Sequence, residues 1–445
     1  MIRRARRSAP PPSARTEVVA PVSDPPAGDL RPSTPGSVES KTTVLLALVL
    51  TSLLPAAAGA QIPDTFHREW EAVSAELRDS LEASGMVGAA WAFLRPGKFM
   101  AHETFGRADL ASGRRVDEET IFHWGSITKT LTGIAVMQLR DRGLLELDDP
   151  VLDYVPELRE VHDPYGSVEG ITLRHLLSHS AGFRGPTWPW GGQEEWHPHE
   201  PTRWAQLVAM MPYSEIRFPA GRRFSYSNPG VVFLGRTIER LSGEEWEVYV
   251  EKNILRPLGM HRSYFDYTPR HLIRHRSNNY TVREGVPDAN GLDFDTGITV
   301  SNGGLNAPLG DMARYLAFLL GMGAEEDRAL RETVLSRSSL EEMWVPEVPV
   351  REGRSSEEEG MAEAMGLSFF LLDHGGRRYV GHTGSQKAFF SFIYIHPGSG
   401  TGGIAAFNSV GAPGEDPQRP DTRAILNRFR ETLFRRIFPL FGGSP

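Results

Sequence analysis

Strand-like runs stand at both ends of the chain's apolar body, and this constrains the possible fold more than any other feature of its 445 residues. At the front, 87–93 and 100–105 carry apolar and aromatic residues on either side of Arg95, Pro96, Gly97 and Lys98, the pattern of a hairpin. Near the other end, 378–381, 389–395 and 403–407 read as three more strands, with the Pro/Gly-rich segment 396–400 turning between the last two. Between these ends lie helical periodicities and long loops. The expected fold is therefore α/β: an antiparallel sheet flanked by helices and completed by both termini, with an inserted, mostly helical lobe. Phe66, Trp70, Val73, Leu77 and Leu81 recur every three to four residues and predict a helix over 65–85, and a second helix is expected over 422–438. A cleft between two such lobes is a natural place for chemistry.

Ahead of this body, residues 1–41 join Arg3, Arg4, Arg6 and Arg7 to Pro, Ser and acidic residues, the composition of a disordered extension. Residues 42–60 have the layout of a signal peptide: Lys41 in front, an apolar run over 44–54, then Pro55 and small residues ending in Ala58, Gly59 and Ala60. Cleavage is expected after Ala60, with Val38 as the candidate true start of translation. The run is short for a membrane span, and an uncleaved anchor is the alternative. The expectation is a secreted or periplasmic protein whose folded domain covers 65–440. A net charge of −8 offers no basic face to nucleic acid, and the absence of cysteine excludes disulfides and thiolate metal sites. Only five of the 48 basic residues are lysines (41, 98, 129, 252 and 387), so each lysine needs a reason.

Ser126 and Lys129 stand three residues apart at the start of a helical stretch over 130–140. That spacing puts the two side chains on one face, one turn apart, so the amine can reach the hydroxyl. A hydroxyl becomes a useful nucleophile when a neighbouring base takes its proton, and a lysine whose pKa is lowered by burial can be that base where arginine cannot. An isolated Ser-x-x-Lys equally describes a helix cap and a surface lysine. This one is the only such pair in the chain. The second element, Tyr226 and Asn228, sits on a polar turn before an apolar run at 231–241; a phenol there can relay a proton, and an amide can bind a substrate amide. The third is His382, Thr383 and Gly384, with Ser385 next, after the strand at 378–381. A glycine there admits a substrate backbone, and a threonine hydroxyl can bind a carboxylate or carbonyl.

In this order the three elements resemble the Ser-x-x-Lys, Tyr-x-Asn and Lys/His-Thr-Gly motifs of class C β-lactamases, D-alanyl-D-alanine carboxypeptidases and related esterases, the serine β-lactamase-like and penicillin-binding protein family. Residues 171–182, 301–305 and 311–315 resemble further segments of that family, and the likeness runs from about 66 to 438. It implies an acyl-enzyme on Ser126, an oxyanion hole made by the backbone N–H groups of Ser126 and Ser385, proton transfer shared by Lys129 and Tyr226, and Asn228, His382, Thr383, Gly384 and Ser385 around the substrate. It leaves open which of Lys129 and Tyr226 is the acylation base. No cofactor or metal is implied.

His382 stands where many β-lactamases carry lysine. An unperturbed histidine titrates near pH 6.5, so carboxylate recognition is expected to weaken between about pH 6 and 8, favouring neutral esters. His175 and His179 lie one helical turn apart but lack a third ligand at zinc-like spacing, so metal binding there is not expected. Trp188, Trp190, Trp196, His197, His199 and Trp204 cluster in a Pro/Gly-rich insertion expected to form an aromatic lid. The functional readings are an esterase or amidase, a β-lactamase or D-alanyl-D-alanine peptidase of the cell wall, and a non-catalytic binder that keeps the fold. The partner would be a small ester, amide or peptide substrate, with no nucleic acid and no stable membrane span after signal cleavage; the oligomeric state is not legible.

Overall fold

A strand buried on both faces needs apolar or small residues at every position, and β1 (Gly88–Leu94) supplies them: all seven residues are buried. It pairs antiparallel with β2 (Phe99–Asp109), and β3 (Arg114–Arg115) closes that edge. This computed structural model describes residues 63–95, 98–166, 168–183, 201–292, 296–321, 325–350, 361–411 and 421–442. Short strands follow along the chain: β4 (Ile121–His123), β5 (Tyr264–Phe265), β6 (Tyr280–Arg283), β7 (Val286–Ala289) and β8 (Leu305–Pro308). The closing part contributes β9 (Val348–Pro349), β10 (Met361–Met365), β11 (Phe370–His374), β12 (Arg377–Gln386), β13 (Phe389–His396), β14 (Thr401–Phe407) and β15 (Ser409–Gly411).

Nine of these form one sheet in the order β3-β2-β1-β14-β13-β12-β11-β10-β9, antiparallel at each junction. The N-terminal and C-terminal strands meet at its centre, where Ala89 faces Phe407 and Leu94 faces Gly402. The fold is thus the expected one, an antiparallel sheet completed by both ends of the chain. Two smaller sheets, β4-β8-β5 and β15-β6-β7, flank it.

Alternation along β1 assigns the two faces of the sheet. Ala89, Trp91 and Phe93 point into an aromatic core with Phe66 and Trp70 of the first helix (Asp64–Ala83) and Phe429 of the last (Thr422–Thr432). Ala90, Ala92 and Leu94 point the other way, into the larger core shared with the helical lobe around Ile134, Leu234 and Leu316.

Four readings change in detail. The strand foreseen at 378–381 runs on to Gln386, so His382, Thr383, Gly384 and Ser385 lie inside it rather than after it. The last α-helix stops at Thr432 and loosens into a wider turn over Leu433–Ile437. β10 escaped notice because Met361 to Met365 are mostly helix formers, and pairing with β11 overrides that preference. Trp204 packs against Phe233 at 6.4 Å between ring centres, under the Arg236 guanidinium, so this member of the expected lid is a packing residue of the helical lobe. The rest of the insertion from Trp188 to Glu200, like the extension over 1–41 and the signal-like segment 42–60, lies outside the described residues. No helix among the described residues is long and apolar enough to cross a membrane.

Candidate active site

Two glycines bring the candidate nucleophile against the sheet. Gly125 opens the tight turn Gly125–Ile127 with φ +51°, a conformation that side chains resist, and a Cβ there would stand 3.1 Å from the backbone nitrogen of Ser385. Across the same contact, a Cβ on Gly384 would meet the Trp124 carbonyl oxygen at 2.0 Å. The Ser391 hydroxyl donates to that carbonyl at 3.2 Å and fastens the turn to β13. The backbones of Ser126 and Ser385 are neighbours as a result.

The turn runs straight into the helix Thr128–Asp141, whose residues from Thr128 to Leu139 are all buried. Threonines make that possible, because each hydroxyl finds a carbonyl or hydroxyl partner. Thr128 donates to Gly125 O at 2.7 Å and accepts from the Leu305 N–H at 3.0 Å, and Thr132 donates to Ser301 O at 2.6 Å. Lys129 is 0% exposed. Its Nζ donates to Ser126 Oγ at 2.9 Å and to the Asn302 carbonyl at 2.8 Å. Burial drives its pKa well below the ordinary lysine value, with no carboxylate among the described residues to hold the charge.

Tyr226 closes the triangle. The Ser126 side chain is close enough to the Tyr226 phenol to oppose the rise that burial gives its pKa, and the Lys129 amine lies 5.0 Å from the ring centre. Burial raises the phenol pKa above its ordinary value. The ring meets His179 at 4.5 Å between centres and Phe370 of β11, nearly parallel, at 6.4 Å. Asn228 is not on the turn with Tyr226 but is the first residue of the helix Asn228–Ser242, where Ser227 caps the Gly230 N–H at 3.1 Å. Its Oδ1 is buried without a hydrogen-bond partner among the described residues. Ser126, Tyr226, Asn228 and Thr383 are half-buried and Ser385 is exposed, so a reagent reaches the group from solvent.

His382 departs from expectation. It is 1% exposed, and burial, followed by the nearby Lys129, pushes its pKa down to about 3. It is neutral throughout pH 6 to 8 and cannot act there as the titrating selector foreseen. Its Nδ1 lies 2.6 Å from the Thr383 carbonyl, so Nδ1 carries the proton and donates, and Nε2 is a bare acceptor. The ring packs on Phe370 at 4.9 Å. His175 and His179 serve separate loops: His175 Nδ1 accepts from the Thr172 N–H at 3.2 Å, and His179 Nδ1 accepts from the Ser227 N–H at 3.2 Å. The structure thus brings Ser126, Lys129, Tyr226, Asn228 and the 382–385 strand to one place. It adds the Asn302 carbonyl, Phe370 and His179, of which only the segments holding Asn302 and His179 had a sequence signal.

Residues 73–428 match the family model described as Beta-lactamase. The chain belongs to the Beta-lactamase family. Among its relatives, "Penicillin-binding protein 4" of Amycolatopsis lactamdurans is 27% identical over 376 residues, 82% of this chain and 89% of that protein. "Esterase EstB" of Burkholderia gladioli is 29% identical over 196 residues, 42% of this chain and 49% of its own length. The chain spans about half the length of several curated relatives it matches, or less: 38% in one case and 54% in another. Among solved structures, the octameric penicillin-binding protein homologue from Pyrococcus abyssi superimposes with a TM-score of 0.67 at 26% identity, covering 82% of this chain and 78% of that one.

Proposed function

We propose that this chain is an exported serine hydrolase that forms an acyl-enzyme on Ser126 and acts on neutral esters in preference to carboxylate-bearing substrates. The observation that carries the reading is the dry contact of the Lys129 amine with the Ser126 hydroxyl at 2.9 Å. With the lysine pKa lowered and the Tyr226 pKa raised by burial, a neutral amine beside a neutral phenol is favoured over an ammonium beside a phenolate. Lys129 is then the base that takes the Ser126 proton as Oγ attacks the substrate carbonyl, and Tyr226 relays that proton, giving its own to the leaving group as it takes the one from the Lys129 ammonium. The N–H groups of Ser126 and Ser385 receive the developing oxyanion, an arrangement worth a few kcal/mol in comparable sites. Water then releases the acyl group by the reverse route. Asn228 and Thr383 flank the acyl chain.

The substrate class follows from charge. With His382 neutral and the Lys129 amine uncharged, no side chain of this cluster among the described residues supplies a cation to a substrate carboxylate. The β-lactamase or D-alanyl-D-alanine peptidase reading is therefore second to an esterase one. The test is kcat/KM for a neutral p-nitrophenyl ester and for a carboxylate-bearing analogue from pH 6 to 8. The expected result is a large preference for the neutral ester with parallel profiles, since no selector titrates in that window. Equal turnover of both substrates, or profiles that diverge near pH 6.5, would refute the assignment. Export rests on the signal-like segment 42–60 and predicts a mature chain starting at or near Gln61 by mass spectrometry. A secreted product that retains 44–54 would contradict it.

A further inference from the structure

Within a buried loop at the back of the site, His179 adopts φ +54°. A non-glycine residue held there is strained by about 1 kcal/mol or more, and such strain persists where surrounding contacts over-determine it. Beyond the N–H of His179, which donates to the Leu176 carbonyl at 3.2 Å, its hydrogen bonds lead to one segment. The His179 carbonyl accepts the Ser225 N–H at 2.8 Å, and its Nδ1 accepts the Ser227 N–H at 3.2 Å. Its ring meets Phe224 edge-on at 6.0 Å and lies 4.5 Å from the Tyr226 ring centre. Each of the four residues from Phe224 to Ser227 therefore touches His179. Tyr226 itself sits in a loop, with no sheet or helix pairing of its own to fix it.

We infer that His179 is a positioning residue for the reaction: its left-handed backbone and its bare Nδ1 template the 224–227 loop and hold the Tyr226 phenol against Ser126. This rests on the assignment of Tyr226 as the proton relay. A neutral ring with a bare Nδ1 carries its proton on Nε2. His179 is 1% exposed and that Nε2 has no hydrogen-bond partner among the described residues, so the one nitrogen that is used is the one that faces the loop. Phe370 also packs beside Tyr226, nearly parallel at 6.4 Å between ring centres.

The test is a double-mutant cycle with Tyr226→Phe and His179→Asn, since asparagine tolerates the left-handed conformation and keeps a short acceptor but removes the ring. His179→Asn alone should lower kcat by about 10–100-fold with KM changed less than about threefold, the signature of a transition-state interaction lost. In the Tyr226→Phe background the same change should cost less than about twofold, because the phenol it positions is gone. Losses that multiply in the double variant would overturn the inference and leave the Tyr226 assignment standing. Wild-type kcat in Tyr226→Phe would overturn both. Nitrogen-15 NMR of wild-type imidazoles gives a check that needs no variant. A resonance pair for His179 with the proton on Nε2 is expected, and a proton on Nδ1 would overturn the templating role.

Discussion

The helix that carries Lys129 and the helix that closes the chain bury themselves in opposite ways. In Thr128–Asp141 every residue from Thr128 to Leu139 is buried, polar ones included. In Thr422–Thr432 only Thr422, Ile425, Leu426 and Phe429 are buried, one face against the sheet. The first helix carries Lys129, Thr130, Thr132 and Gln138 into the core and gives each at least one partner, as with Gln138 Nε2 on the Val334 carbonyl at 2.6 Å, although Gln138 Oε1 has none among the described residues. Burying polar groups contributes little net stability even when they are paired. The second helix adds aromatic contact and no chemistry. The pair teaches that the candidate catalytic groups and the terminal aromatic packing are lodged on opposite faces of one sheet, and the proposed activity and stability should be separable by mutation.

The largest separation is expected at Lys129. Both Lys129→Ala and Lys129→Arg should lower acylation of Ser126 by roughly 10²–10⁴-fold, because arginine keeps charge but does not give up its proton. Lys129→Met, which replaces a buried amine with an apolar chain of similar length, should leave the melting temperature unchanged or raised. An Arg variant with near-normal acylation would make Lys129 an electrostatic support and shift the base to Tyr226.

Phe429→Ala should do the reverse. Its ring meets Trp91 at 6.2 Å and Phe392 at 6.0 Å in the terminal-helix core, so truncation should cost about 3–5 kcal/mol of stability. Kinetic constants of the protein still folded should stay close to wild type. Denaturant unfolding alongside steady-state kinetics checks this, and a kcat falling in step with stability would erase the distinction between the two faces.

The smallest expected effect is with pH. Burial pushes the pKa of His123 down to about 4 and that of His382 to about 3, against about 6.5 in an unfolded chain. Above pH 6.5 neither state holds these protons and stability has no slope from them. Below it the unfolded chain binds protons that the fold refuses, so stability falls as pH falls, by roughly 2–4 kcal/mol by pH 5.5. Melting temperature should therefore begin to drop near pH 6.5 rather than only in the carboxylate range. A flat profile from pH 7 to 5 would mean these rings take up protons in the folded state.

The two faces also differed in how far the sequence disclosed them. The first helix and the hairpin at β1 and β2 were visible because one-sided or continuous apolar patterns encode burial directly. The Ser126, Lys129, Tyr226 and Asn228 positions were visible because their chemistry is tied to residue type and spacing. What stayed hidden depends on long-range approach. The acceptor from Asn302 is a backbone carbonyl with no side-chain signature, and Phe370 reaches Tyr226 only because β11 lies beside β12. The electrostatic state of His382 was misjudged for the same reason, since a sequence does not say that a polar ring inside a strand is dry. His179 stood in a noticed loop, but its left-handed backbone appears only once the 224–227 segment is folded against it.

The central claim is that Ser126 is the residue acylated, with Lys129 as its base. Peptide mass spectrometry after incubation of the mature protein with a fluorophosphonate, and separately with a p-nitrophenyl ester under rapid quench, tests it most directly. The account predicts a single adduct on the peptide containing Ser126, absent in Ser126→Ala and strongly slowed in Lys129→Arg, with ester hydrolysis lost in both. An adduct on another serine, or hydrolysis that survives Ser126→Ala, would contradict it.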